Sequence, residues 1–303
     1  MNGRANMIAG EVVRAKRRGW FLTIRHRLVA DVTLTGYSPV AACCSPCKID
    51  AMTAKEVFAK LKSLGDEARR KHNAKTGPDG IPGAPLDKQF GVKTGDIRNL
   101  AKKIKTDHEL ALELWKTGNM DAQMLAILIM KPKELSAKQL DTMVREARFA
   151  WVAEWLMSYI VKEQPSAEKE ALREKWLKDK DAWAARAGWH LTASMVSKDS
   201  GNSGGGGKGG RGGKSSSGRG GADGLDLDAL LDRIEKEMPE AKPEVKWTMN
   251  STLGAIGIHH AKHRKRAIAI GEKLALYKDW PVSKGCTIPY VPVWVSAMAK
   301  RQE

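Results

Sequence analysis

Asp107-His-Glu-Leu-Ala-Leu-Glu-Leu-Trp-Lys-Thr-Gly118-Asn119-Met-Asp-Ala-Gln-Met-Leu-Ala-Ile-Leu-Ile-Met-Lys131-Pro132 is the stretch that decides the fold class. Leu110, Leu112, Leu114 and Trp115 give the first half an apolar stripe over a segment of helical length. Met124, Leu125, Ile127, Leu128 and Ile129 make the second half almost continuously apolar, as in a helix buried on most sides. Gly118-Asn119 breaks the two halves apart, and Pro132 prevents the second from continuing. The spacing predicts helices over 107–117 and 120–131, joined by a connection so short that they must pack antiparallel.

The same pattern extends in both directions. Helices are expected at 53–64, 94–105, 136–148, 150–163, 166–178 and 181–196, with an irregular Gly/Pro-rich loop at 74–93. They resume at 225–238 and 243–277, and a last one is expected near 296–301 after a stretch mixing Pro, Gly and aromatics. No segment here reads as a strand. Paired helices in a row point to an all-α solenoid of stacked antiparallel pairs, with an irregular bundle as the alternative. Four segments follow. Residues 1–51 lack steady periodicity and read as a dispensable or non-native extension, since Met52-Thr-Ala-Lys-Glu-Val-Phe resembles a natural start. Residues 52–198 form the first part of the helical domain and 225–303 the second. Between them, 199–224 is Gly-rich and is expected to be a flexible insert. Its Arg-Gly-Gly steps could also add affinity for nucleic acid.

Charge bounds the partner. The chain carries 52 Lys/Arg against 35 Asp/Glu, a net +17. Residues 1–51 hold eight basic against three acidic residues and 198–224 five against two, leaving about +9 on the remainder. The helical part is therefore basic by itself, which favours a polyanion. The four cysteines (Cys43, Cys44, Cys47 and Cys286) form no evenly spaced disulfide framework, which suits a reducing cytoplasm. Cys44-Ser-Pro-Cys47 has no second pair opposite it to complete a metal site. His259, His260 and His263 lie among Arg and Lys, so a basic helix face is preferred there over a metal. No apolar run approaches membrane-spanning length. Serine triads, P-loops and dinucleotide fingerprints are absent.

Chemistry concentrates in 150–190, which holds five of the ten tryptophans. On a helix, Trp151, Glu154, Trp155 and Ser158 share one face, while Trp183, Arg186 and His190 share one face of a second. Each helix thus sets an aromatic beside a charge. A Glu154–Arg186 ion pair serving the fold alone is one reading, because a buried charge must be paired. A working carboxylate and guanidinium form the other.

Gln89-Phe-Gly-Val-Lys93-Thr94-Gly-Asp-Ile-Arg98 resembles the loop leading into a helix in the HEAT-like helical-repeat DNA alkylation repair glycosylases of the AlkD type. Asp181-Ala-Trp183-Ala-Ala-Arg186-Ala is similar to that family's helix bearing a functional arginine, and Ala150-Trp151-Val-Ala-Glu154 sits where the family keeps an aromatic and an acid. The resemblance covers about 53–198, and more loosely 240–303. It implies a HEAT-like α-solenoid acting as a monomer in the cytoplasm. Its partner would be double-stranded DNA with alkylated bases, from which cationic purines such as 3-methyladenine and 7-methylguanine are excised without a cofactor. It implies that Glu154, Trp151 and Arg186 serve catalysis. Lys93, Thr94, Arg98, Trp155, Trp183, Trp247 and Asn250 would contact DNA. A non-catalytic DNA-binding solenoid and a protein scaffold are the rival readings.

Overall fold

The computed structural model describes residues 52–198, 224–283 and 285–301. The expectations for 1–51, for Cys43, Cys44 and Cys47, and for almost all of the Gly-rich insert fall outside the described residues. The described residues contain thirteen α-helices, several short 3-10 turns and one π-helical turn, with no strand among them. In chain order they are α1 Ala54–Ser63, α2 Glu67–Asn73, α3 Thr94–Ile104, α4 His108–Lys116, α5 Met120–Ile129, α6 Ala137–Glu146 and α7 Ala150–Trp155. After these come α8 Ser166–Leu177, α9 Ala182–Lys198, α10 Leu227–Glu237, α11 Pro243–His259, α12 Ala261–Leu274 and α13 Val291–Ala299.

Local chemistry starts these helices where the sequence says it should. Thr53 and Glu56 close a capping box at α1, as Ser136 and Gln139 do at α6. Asp107, Asn119 and Asp226 each accept a backbone N–H at the start of α4, α5 and α10. The apolar faces then pack into a row. Helix α5 contacts α3, α4 and α7, and α9 contacts α6, α8 and α11. The run Met120–Ile127 in α5 is buried without a break, which fits an inner helix walled on most sides. One apolar cluster runs from α1 to Leu191 in α9, and a second from Leu177 at the end of α8 to α13. Helix α9 joins them, with Trp183 in the first cluster and Trp189 in the second. Its close approach to α8 depends on Gly188. A Cβ there would lie 2.6 Å from the backbone nitrogen of Leu177 and 2.9 Å from the carbonyl carbon of Trp176.

Asp121 ties the two halves of the N-terminal region together. Its carboxylate is inaccessible to solvent and accepts the backbone N–H groups of Phe90 (2.6 Å), Gly91 (3.2 Å) and Val92 (3.1 Å). This fixes the chain just before α3. Gly91 passes through with φ 76°, and a Cβ there would lie 2.4 Å from the Asp66 carbonyl oxygen.

Three local expectations are corrected. The single helix expected over 243–277 is two, because His260 turns out of the helical region (φ −121°, ψ 91°). Arg264 donates to the carbonyls of Gly257 and Ile258, closing the end of α11. The last helix begins at Val291 and not at 296. Pro292 suppressed the reading, yet proline is tolerated in a first turn, where its missing N–H has no intrahelical partner. Helix α2, with no buried residue of its own, left no apolar stripe to read.

Candidate functional site

Helix α7 buries Val152 and Ala153 and turns Trp151 and Glu154 outward. Trp151 is 52% exposed, unusual for an indole, and Ser158 is exposed on the same side. Opposite it, α9 carries Trp183, Arg186 and His190, which line a narrow cavity of about 10 Å³ with Leu156 and Met157. The sequence's two faces therefore meet. Arg186 Nη2 donates to Glu154 Oε2 at 3.0 Å, and Nη1 donates to the Glu244 carbonyl of α11 at 3.2 Å.

Burial is uneven across this pair. The Arg186 side chain is only 6% exposed, whereas that of Glu154 is 47% exposed. The guanidinium is enclosed and holds one carboxylate oxygen, and the carboxylate remains open to solvent beside Trp151. His190 Nδ1 lies 3.8 Å from the other oxygen, Glu154 Oε1. Burial pushes the His190 imidazole below its ordinary range, Glu154 pulls it up and Arg186 pushes it down again. Burial is the largest of these influences and favours the uncharged imidazole.

A second group flanks the carboxylate. Arg98, one turn into α3, lies over the Trp155 ring at 4.6 Å and donates to the Tyr159 hydroxyl at 3.0 Å. Lys93 precedes the helix as an exposed N-cap with no side-chain cap, and Thr94 is its first residue. In α11, three residues after the Glu244 carbonyl that accepts from Arg186, Trp247 packs against Tyr277 (5.5 Å between ring centroids) and Trp280 (5.1 Å). The Tyr277 hydroxyl is buried with no partner among the described residues. Burial pushes this phenol well above its ordinary range, Asp79 adds to the rise and Arg186 opposes it.

Two residues expected at a DNA surface lie inside the protein. Trp183 is 6% exposed and packs into the first core cluster, because its helix is the one both clusters share. Asn250 is 3% exposed and donates to the Pro289 carbonyl at 2.9 Å, anchoring the segment before α13. Sequence reasoning missed Tyr159, Tyr277 and Trp280. Tyr159 stands four residues after Trp155, a spacing that could have found it. Tyr277 and Trp280 sit in a turn without periodicity. The C-terminal histidines do not converge: His263 faces Asp228 at 3.5 Å and His260 Nε2 faces the Val196 carbonyl at 3.1 Å. Cys286 is exposed. No helix among the described residues is long and apolar enough to cross a membrane.

Comparison with known proteins bears on the fold and the family. The sequence profile of the family described as "DNA alkylation repair enzyme" matches residues 57–278. An uncharacterized protein of Listeria innocua serovar 6a is 21% identical over 204 residues, which span 66% of this chain and 79% of that protein. A solved structure is described as belonging to "a new family of proteins related to the HEAT-like repeat DNA glycosylases with affinity for branched DNA structures". It superposes with a TM-score of 0.58 at 22% identity, covering 83% of this chain and 95% of that one. The fold is therefore a HEAT-like helical repeat.

Proposed function

The chain belongs to the DNA alkylation repair enzyme family, and from that premise we propose that it binds alkylated duplex DNA and excises cationic alkylated purines by hydrolysing the N-glycosidic bond. The observation that carries this reading is the half-open Glu154 carboxylate, held from behind by an enclosed Arg186 and flanked by an exposed Trp151. A purine methylated at a ring nitrogen is cationic and leaves readily. Its departure builds positive charge on the deoxyribose. Glu154 stabilises that charge and orients water, and the Trp151 ring attracts it through its quadrupole. Arg186 positions the carboxylate. Lys93, Thr94 and Arg98 meet phosphates, with Trp155 beneath Arg98 and Trp247 contributing from α11. Trp183 and Asn250 support these groups from within.

The test is release of 3-methyladenine and 7-methylguanine from methylated duplex DNA, followed by mass spectrometry. Glu154→Gln is expected to lower excision by about 10²–10³-fold, the loss typical of removing one transition-state stabiliser. DNA affinity should be nearly unchanged. Because Glu154 is half exposed and Gln can still accept from the enclosed Arg186, stability should fall by about 1–3 kcal/mol. No base released by the wild type would refute the reading. In that case a non-catalytic DNA-binding protein becomes the better account, favoured by the branched-DNA affinity described for the structural relative and by Arg186 already engaging Glu154.

A further inference from the structure

Helix α7 does not end as an α-helix. After Trp155 it widens into a π-helical turn, Leu156–Ile160, and tightens into a 3-10 turn, Val161–Glu163. A π turn is rare because it weakens backbone geometry, and where it is kept it commonly re-aims a side chain at a functional site. Here the inner residues Leu156, Met157 and Ile160 remain buried, so the core has lost nothing. The turn leaves Ser158 and Tyr159 on the outside, and Tyr159 is 37% exposed. Its ring lies 5.5 Å from Trp155, and its hydroxyl accepts from Arg98 Nη2 across a sequence separation of 61 residues.

Arg98 has no carboxylate partner among the described residues. Its guanidinium lies 4.6 Å from the centroid of Trp155 and 5.8 Å from that of Tyr159. An exposed arginine ordinarily samples many rotamers, and fixing it costs entropy at the moment of binding. Stacking on an indole and one hydrogen bond through Nη2 fix it beforehand, while its remaining N–H groups stay available. A planar cation held over an indole without a carboxylate partner, on a helix whose N-cap is an exposed lysine, fits a phosphodiester oxygen pair.

We propose that Tyr159, on the π turn, is a positioning residue that holds Arg98 over Trp155 as a preformed clamp for one phosphodiester of bound DNA, next to the Glu154 site. This rests on the reading that the protein binds DNA, though not on its being a glycosylase. The clamp reads no base, so it acts equally on methylated and unmethylated duplex.

The experiment measures equilibrium binding of the full chain to one duplex oligonucleotide, untreated and methylated, over a range of salt concentrations. Tyr159→Phe keeps the ring and removes the acceptor. It should weaken binding about threefold to tenfold on both duplexes, as expected for one charge-assisted hydrogen bond in a solvated setting. The salt dependence should be unchanged because no charge is lost. Arg98→Ala should weaken binding further and reduce the slope of log affinity against log salt by about one. Tyr159→His, which restores a hydrogen-bond acceptor, should recover part of the loss. Unchanged affinity in Tyr159→Phe overturns the proposal, and so does a loss matched by a lower melting temperature, which would make the contact merely structural. Tight binding with the predicted losses but no base release leaves the clamp standing and removes the glycosylase reading. A wild type that binds neither duplex overturns both.

Discussion

Asp121→Asn tests how the N-terminal helices are held in register with the site. The carboxylate takes the N–H groups of Phe90 and Gly91 on Oδ2 and that of Val92 on Oδ1. An asparagine offers one acceptor oxygen. In its less costly orientation it keeps Phe90 and Gly91 and turns its NH₂ toward the Val92 N–H. One buried donor then loses a charged acceptor, at about 1.5–3 kcal/mol. The two surviving bonds become neutral and weaken by roughly half a kcal/mol to one each. An opposing contribution must be subtracted. Burial pushes the Asp121 carboxyl above its ordinary range against the pull of the three N–H groups, so removing the charge relieves a real penalty. A net loss of about 2–3 kcal/mol remains. At roughly 2–4 °C per kcal/mol for a domain of this size, the melting temperature should fall by about 5–10 °C. Circular dichroism at 222 nm, with urea titration as a check, reads the change. Asp121→Ala should cost more, since all three donors are left bare. A melting temperature for Asp121→Asn within about 1 °C of the wild type would show that the three bonds return no more than burying the charge costs.

Acid should loosen α6 from α8. Burial pushes the Asp141 carboxyl up, but hydrogen bonds from Arg145, Trp176 and Lys175 outweigh it and hold it at about 2, below its ordinary 3.8. A carboxyl depressed in the folded state contributes stability that is complete above pH ~4 and lost as pH falls toward ~2, at most about 2 kcal/mol. Urea titrations should show this decline in the wild type and a shallower one in Asp141→Asn, and identical pH profiles would contradict it. Gly188→Ala separates propensity from packing. Alanine in a helix normally gains up to about 1 kcal/mol, yet here its Cβ would strike the Trp176–Leu177 backbone. The variant should instead lose about 1–3 kcal/mol in thermal or urea melts, and a gain would mean that α8 and α9 can part freely.

Much of the site was legible because helices impose spacing. Trp151 and Glu154 could be placed on one face, and Trp183, Arg186 and His190 on another, by counting residues. Counting could not tell which face of α9 would be walled in. Trp183 and Arg186 look alike to a periodicity argument whether they meet DNA or core, and only the packing of α6, α7 and α11 around α9 encloses them. Asn250 fails for the same reason: its partner, the Pro289 carbonyl, is 39 residues away. The break at His260 was hidden because apolar and basic residues continue across it in helical order, and the Arg264 contacts that close α11 form only once the chain has turned.

Reading the residues alone was enough to assign an all-α fold to the described part of the chain, to place most of its helix ends, and to find that part basic. Those properties depend on neighbours within a turn or two and on summed charge, which need no fold to evaluate. It took the packed helices to show that Glu154 stays open while Arg186 is enclosed, and that Tyr159 reaches Arg98 from 61 residues away. Distances between side chains on different helices, and the solvent left to each, are set by how the helices pack.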